Sequence, residues 1–163
     1  RDANLAGEAP FAGDFGLFTA LRDGGPLAAH FAGAENSLLK SVWPYARAVP
    51  DFARPGGTTL EWGPWIDTGA LYRQFYPKLA AYGLGELIVV CGLQAELDRL
   101  AAQHCPAERR RYHAAPYDAL AGALLLGSLA REPALAALTV PQLLAFSTLD
   151  GEKRDALQQG NLF

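Results

Sequence analysis

The chain has 163 residues, half of them hydrophobic, with a net charge of −3 and a mean hydropathy of +0.04. These values are typical of one soluble globular domain and exclude a molecule-wide basic field that would attract nucleic acid. The longest apolar stretch, residues 119–130, is shorter than the roughly 20 residues of a membrane span. Because the two cysteines lack metal-ligand spacing, we expect a cytoplasmic protein with reduced thiols.

The first residues do not resemble the start of a protein. The sequence contains no methionine and opens at Arg1 with RDANLAGEAPF, which is typical of a loop inside a longer chain. Either the start has been removed or this is a piece of a longer protein. We expect a single domain over residues 1–163 that is incomplete at its N-terminus and ends in a polar tail at residues 151–163.

The first part of the chain predicts a helix, a strand and a second helix. Residues 15–21 carry apolar side chains at helical spacing, and the turn residues of DGGP end that helix. The short apolar run PLAAHFA, residues 26–32, predicts a buried strand. A helix is predicted over residues 35–46, with Pro44 ending it.

The middle of the chain predicts a proline-rich insertion followed by a strand and a helix. Residues 44–64 contain four prolines and two adjacent glycines, which predict an irregular insertion. A strand then ends near Ile66. Asp67 or Thr68 caps a helix that runs to about Tyr76.

The remaining segments predict mainly helix, which makes the chain a mixed α/β protein. The predicted helices cover residues 84–93, 95–105, 116–131 and 139–148. Within the first of these, LIVV at residues 87–90 would by itself also suit a strand. Pro116 is favoured in a first helical turn.

Two histidines stand in the same relation to an acid. His30 precedes Glu35 by five residues, and His113 precedes Asp118 by five. Both acids fall at predicted helix starts, where the helix dipole favours the ionised carboxylate. That is the form that binds Mg²⁺ or Mn²⁺.

A simpler interpretation of the second pair stays open. An acid in a first helical turn commonly satisfies free backbone amides, and a single histidine is more often a surface group than a catalyst. In favour of a functional pair, the helix after His113 has a face of small residues that would let it approach a sheet and place Asp118 beside strand ends. These small residues are Ala115, Ala119, Gly122 and Ala123.

Four successive stretches resemble the DEDDh class of 3′–5′ exonucleases, the DnaQ-like family. They are PLAAHFAGAENSLLKSV, WIDTGALYRQFYP, YGLGELIVVCGL and YHAAPYDALAGALLL, which span residues 27 to about 130. The histidine, four intervening residues, aspartate and small-residue helix match the family's third motif. The sequence IDT at the start of a helix matches the usual middle part of the family's pattern. The resemblance depends on the succession of the four stretches.

The resemblance implies a ribonuclease-H-like three-layer α/β fold, with a mixed sheet and helices on both faces. It implies a metal-dependent 3′–5′ exonuclease that releases nucleotides from single-stranded DNA or RNA ends. Two divalent ions, Mg²⁺ or Mn²⁺, would lie roughly 4 Å apart, one activating a water and one stabilising the leaving 3′ oxygen. On this chain Asp118 and Glu35 would be metal ligands, and His113 would be the general base.

The chain departs from the family pattern in two places. The family's Asp-x-Glu on an opening strand has no counterpart before residue 27, so the fold would lack its first three strands. The second motif has His30, Phe31 and Glu35 where the family has His-Asn and an aspartate. Because two carboxylates cannot hold two divalent ions, we expect this chain alone to cleave weakly or not at all. The strand at residues 26–32 would keep one unpaired edge, prone to association.

Several polar residues near these pairs are predicted to contact substrate. Arg109, Arg110 and Arg111 would bind phosphates, or would form a solvated basic loop. His30 is assigned to the same substrate-binding set, with a structural role at the strand end as the alternative.

Aromatic and sulfur-containing residues have simpler interpretations. Tyr112 and Tyr117 would stack on bases, although packing beside a helix start is the commoner role. The tryptophans are expected to attach the proline-rich insertion to the body of the protein; they are Trp43, Trp62 and Trp65. A zinc site at His104, Cys105 and Cys91 is rejected because one histidine–cysteine pair plus a distant thiol is a poor ligand set.

The last five residues, QGNLF, resemble the bacterial sliding-clamp-binding pentapeptide. Gln159, Leu162 and Phe163 would insert into a preformed groove of the clamp, and a chance match is the alternative. Two other functions also stay open. One is a catalytically inactive nucleic-acid-binding or clamp-associated module of the same fold, and the other is a purely structural α/β domain.

Overall fold

Seven helices and four short strands form the part of the chain that the structure, a computed structural model, describes, which is residues 10–148. In chain order they are α1 (Phe15–Gly24), β1 (Leu27–Ala29), α2 (Gly33–Val42), β2 (Val49–Pro50), β3 (Thr58–Thr59), β4 (Trp65–Asp67), α3 (Thr68–Phe75), α4 (Leu84–Val90), α5 (Gln94–His104), α6 (Ala115–Arg131) and α7 (Val140–Phe146). Single 3₁₀ turns at Phe11–Asp14 and Ala107–Arg109 precede α1 and α6. The mixed α/β prediction is confirmed. The residues of the predicted clamp-binding motif, Gln159, Leu162 and Phe163, lie outside the described residues.

β1 and β4 form a parallel pair. Leu27 lies opposite Trp65, and Ala29 lies opposite Asp67. Among the described residues β1 pairs with β4 alone, so the predicted unpaired edge is present. The prediction of a buried strand is wrong at its centre, because Ala28 is exposed. No described element covers that side chain.

The proline-rich insertion contains a short antiparallel ladder, which corrects the prediction of wholly irregular structure. Val49 pairs with Thr59, and Pro50 pairs with Thr58. The chain turns between the two strands through Gly56, whose φ of +82° suits a residue without a side chain.

Three tryptophans attach this insertion to the first helices, as predicted. The Trp62 ring is 2% exposed, and its Nε1 donates to the Trp43 carbonyl at 2.9 Å. Trp43 Nε1 donates to the Ala12 carbonyl at 3.1 Å. Trp65 Nε1 donates to Asn36 Oδ1 at 3.3 Å. The indole rings and their donors therefore hold the insertion against α1 and α2.

The main core lies among α3 to α7. Its fully buried side chains include Leu71, Leu87, Ile88, Leu97, Leu125 and Leu144. The ambiguous LIVV segment is helical and belongs to α4. Helical spacing turns Leu87 and Ile88 inward and leaves Val89 and Val90 exposed. In a strand, inward and outward side chains would alternate instead.

The long helix α6 buries mainly large apolar side chains, and the predicted small-residue face is not the buried one. The buried residues are Tyr117, Ala121, Leu124, Leu125 and Leu129. The small residues Ala115, Ala119 and Ala123 are exposed, and Gly122 faces open space. The prediction that the small-residue face packs on a sheet is therefore wrong within residues 10–148. Large side chains remove more apolar surface from water, and they place α6 against α4 and α5, with a further contact to β1.

Two helices begin at side-chain caps, and the cap of α3 was predicted. Asp67 is the N-cap of α3 and accepts from Ala70 N at 3.1 Å. Thr139 and Gln142 form a capping box at α7. No helix among residues 10–148 is both long and apolar enough to cross a membrane.

Candidate functional site

Asp118 lies in the first turn of α6 and is joined to His113 through the backbone. The His113 N–H donates to both carboxylate oxygens, at 3.2 and 3.1 Å. His113 has a φ of +66°, in the left-handed region, and its side chain is exposed. Asp118 therefore satisfies a free amide at a helix start, as the simpler interpretation predicted. Each of its oxygens keeps acceptor capacity for a further ligand.

Glu35 is exposed and lies in the first turn of α2. The strand β1 ends at Ala29, and α2 begins four residues later at Gly33. Glu35 and Asp118 lie in the first turns of two different helices, α2 and α6. In the described part of the chain, no three or more His, Cys, Asp and Glu side chains form a group able to hold a metal ion.

Asp67 connects the turn after β1 to helix α3, a role larger than the predicted cap. Its Oδ1 accepts from Phe31 N at 3.0 Å, and its Oδ2 accepts from Ala32 N at 2.9 Å. Its own N–H donates to Ser147 Oγ on the segment after α7, at 2.9 Å. This carboxylate therefore fixes the residues that lead into α2 and, with them, the start of the helix that carries Glu35.

His30 uses both ring nitrogens within the protein. Nε2 donates to the Tyr82 carbonyl at 2.9 Å, and Nδ1 lies 3.0 Å from Thr68 Oγ1. Burial lowers the pKa of the imidazole below its ordinary value, although the carboxylates of Asp67 and Glu35 act in the opposite direction. This geometry favours the structural role over contact with a substrate.

The three arginines differ in what they contact. Arg110 donates through Nε to the Cys105 carbonyl and through Nη2 to the Ala102 carbonyl, both at 3.0 Å. These carbonyls lie at the end of α5, where a cation satisfies free acceptors and the helix dipole. Arg110 therefore has a structural role, whereas Arg111 is exposed and Arg109 is half-buried.

The two tyrosines form a packed pair beside the start of α6. Their ring centroids are 5.1 Å apart with the planes at 90°. Tyr117 is 4% exposed, and its hydroxyl accepts from Gln94 Nε2 at 3.1 Å. The Tyr112 hydroxyl donates to Gln94 Oε1 at 3.3 Å. Burial raises the pKa of both phenols, and the packing interpretation fits Tyr117.

A crevice that the sequence did not predict opens at the carboxyl ends of β1 and β4. Its volume is about 790 Å³, and its walls include Phe31, Asn36, Trp65 and Asp67. The salt bridge from Lys40 Nζ to Glu61, at 3.3 Å, joins α2 to the insertion beside it. Ligands commonly bind outside the carboxyl ends of parallel strands. The predicted site residues Glu35, His113 and Asp118 do not line this crevice.

No protein-family model, no curated protein and no solved structure matches the chain. The side chains described above are therefore the basis for assigning a function. The strongest chemical feature among them is the Asp118–His113 pair at the start of α6, with Glu35 at the start of α2.

Proposed function

We propose that this chain carries part of the cleavage centre of a metal-dependent 3′–5′ exonuclease of ribonuclease-H-like fold. Asp118 and Glu35 are the proposed ligands of Mg²⁺ or Mn²⁺, and His113 is the proposed general base. The observation that supports the proposal is the bond from the His113 N–H to Asp118 in the first turn of α6, with a second acid, Glu35, in the first turn of α2.

The chemistry of these residue types suits phosphodiester hydrolysis. A carboxylate in a first helical turn is favoured in its ionised form by the helix dipole, and oxygen ligands are those that Mg²⁺ prefers. Bound ions supply an activated water and stabilise the leaving 3′ oxygen. The exposed imidazole of His113 would accept the proton of that water, since histidine is the side chain that most often acts as a general base.

Activity of this chain alone is proposed to be weak or absent. Two carboxylates supply two negative charges, whereas two divalent ions carry four positive charges. Within residues 10–148 no three or more His, Cys, Asp and Glu side chains form a group able to hold a metal ion. The positions of both ions and of the attacking water would then be poorly fixed. The rate of cleavage would be low, because in-line attack depends on orientation.

The direct test is an assay with a 5′-labelled single-stranded oligonucleotide and Mn²⁺. We expect slow shortening from a free 3′ end at most, and we expect Asp118→Asn and His113→Ala, purified in the same way, to remove whatever shortening occurs. Rapid turnover by the wild-type chain would contradict the proposed weakness. Shortening that survives both substitutions would show that a different centre, or a contaminant, is responsible.

The second candidate function is a catalytically inactive nucleic-acid-binding module of the same fold. The bond from the His113 N–H to the Asp118 carboxylate favours it, because this contact gives Asp118 a role that needs no metal site. Fluorescence anisotropy with the same oligonucleotide in EDTA distinguishes the two. Metal-independent binding, together with no cleavage when Mn²⁺ is added, is the result expected for the inactive module.

A further inference from the structure

An apolar groove lies between α4 and the ring of Tyr112, which belongs to the loop before α6. Its volume is about 580 Å³, which is within the range of small-molecule sites. Val89 and Val90 line it and are 67% and 61% exposed. The Tyr112 ring packs on Gly85, where an added Cβ would lie 3.3 Å from the ring atom Cζ. Contiguous exposed apolar side chains such as these valines commonly mark a binding surface.

Glu86 gives this groove a negative charge. It is the one charged side chain among the described residues that line the groove, and it lies in the first turn of α4. Its carboxylate lies over Gly83, where an added Cβ would be 3.1 Å from the carboxyl carbon Cδ. None of the ion pairs within residues 10–148 includes it. An apolar surface with a single unpaired carboxylate is complementary to a ligand that joins a cation to an apolar body.

The polar side chains of the groove offer acceptors rather than donors. The Tyr112 hydroxyl donates to Gln94 Oε1 at 3.3 Å. Gln94 Nε2 donates to Asp98 Oδ1 at 2.8 Å and to the Tyr117 hydroxyl at 3.1 Å, which uses both of its hydrogens. The Glu86 carboxylate and the lone pairs of the Tyr112 oxygen remain as acceptors. A ligand must therefore supply the donors, and an anion would find no side-chain partner in the groove.

The electrostatic surroundings of Tyr112 are acidic. Burial is the main cause that raises the pKa of its phenol, and the charges of Asp98, Asp118 and Glu86 act in the same direction. Charges that oppose a negative phenolate favour a positive group at the same place. The face of a tyrosine ring also attracts a cation through its own quadrupole.

We infer that this groove binds a small organic cation, with its ammonium group at Glu86 and its apolar body against Val90 and Tyr112. The inference is independent of the proposed cleavage centre, whose residues do not line the groove. The ammonium group supplies the donors that the acceptors of the groove require, and the apolar body removes exposed valine surface from water. A neutral alcohol of the same length would gain the apolar contact alone, and a carboxylate would be repelled by Glu86.

The test compares probes of equal chain length and different charge. They are hexylamine, which is protonated at neutral pH, hexanol and hexanoate. Their dissociation constants are measured by NMR titration, in which the methyl signals of Val89 and Val90 report binding in the groove. We expect the wild type to bind hexylammonium about fivefold more tightly than hexanol, the scale of an exposed ion pair together with a cation–π contact. Hexanoate should bind more weakly than hexanol.

Two variants separate the role of Glu86 from the net charge of the chain. Glu86→Gln should lower the affinity for hexylammonium to that for hexanol. Asp14→Asn, which removes the same charge at an exposed site before α1, should keep the difference between the two probes. Equal binding of both probes by the wild type would overturn the inference, and so would a difference that survives Glu86→Gln or disappears in Asp14→Asn. Unchanged Val89 and Val90 signals with every probe would show that the groove is not a binding site.

Discussion

The backbone N–H of His113 binds both oxygens of the Asp118 carboxylate, at 3.2 and 3.1 Å. This contact gives Asp118 a structural role that does not depend on any metal. A neutral side-chain oxygen can replace it as an acceptor, but cannot replace its negative charge. Stability and metal binding at this position can therefore be separated by substitution.

Asp118→Ala should lower the free energy of unfolding by about 1–2 kcal/mol, because a charge-assisted hydrogen bond at the start of α6 is lost. Asp118→Asn should lower it by less, because the amide oxygen still accepts from His113. Urea unfolding followed by circular dichroism measures both. Equal free energies for the wild type and Asp118→Ala would show that the contact contributes nothing.

Two glycine substitutions should have opposite effects. A Cβ at Gly69 would lie 2.5 Å from the Phe31 ring, over which the Arg73 guanidinium lies at 4.7 Å. Gly69→Ala should therefore destabilise the protein by about 1–3 kcal/mol through overpacking. Gly122→Ala, in open space on α6, should stabilise it by about 0.5–1 kcal/mol. Thermal unfolding compares them, and a harmless Gly69→Ala would mean that the Phe31 ring is free to move.

His30 predicts a pH dependence of stability. Burial is the main cause that lowers the pKa of the folded imidazole, so the unfolded chain binds the proton first as the pH falls. The free energy of unfolding should decrease as the pH falls below about 6.5, the ordinary pKa of histidine. The decrease should stop once the pH has passed the pKa of His30 in the folded protein. His30→Gln should remove this part of the decrease, and His104→Gln, at an exposed site, should not. Identical pH profiles for the wild type and His30→Gln would refute the prediction.

The free edge of β1 predicts self-association. Unpaired backbone groups at Leu27–Ala29 can pair with another chain, and the exposed Ala28 offers a position for a charge. We expect the wild type to form larger species as its concentration rises, and Ala28→Lys to stay smaller at the same concentrations. Light scattering after size-exclusion chromatography measures this. A wild type that stays monomeric throughout would contradict the prediction.

Local patterns predicted the helices well because each has its signal within a few residues. Pro116 in a first turn and Asp67 at an N-cap have the expected positions. The acids Glu35 and Asp118 also lie in first turns, as expected. These features depend on backbone groups that the neighbouring residues themselves leave unsatisfied.

Long-range features were predicted less well. The small-residue face of α6 suggested close packing, but which face is buried depends on what the remote helices α4 and α5 present. In the sequence, Arg110 suggested a phosphate ligand because it belongs to a run of three arginines. Its bonds to the Ala102 and Cys105 carbonyls depend on where α5 ends in the fold, which the sequence alone does not give. The crevice at Asp67 likewise combines segments that are distant in sequence.

The measurement closest to the central claim is Mn²⁺ binding, followed by the electron paramagnetic resonance signal of the free ion. The claim predicts weak binding by the wild type that is lost in both Asp118→Asn and Glu35→Gln. Binding should be kept in Asp14→Asn, which neutralises an exposed acid before α1. No binding by the wild type, or equal binding by all four proteins, would contradict a metal centre at Asp118 and Glu35.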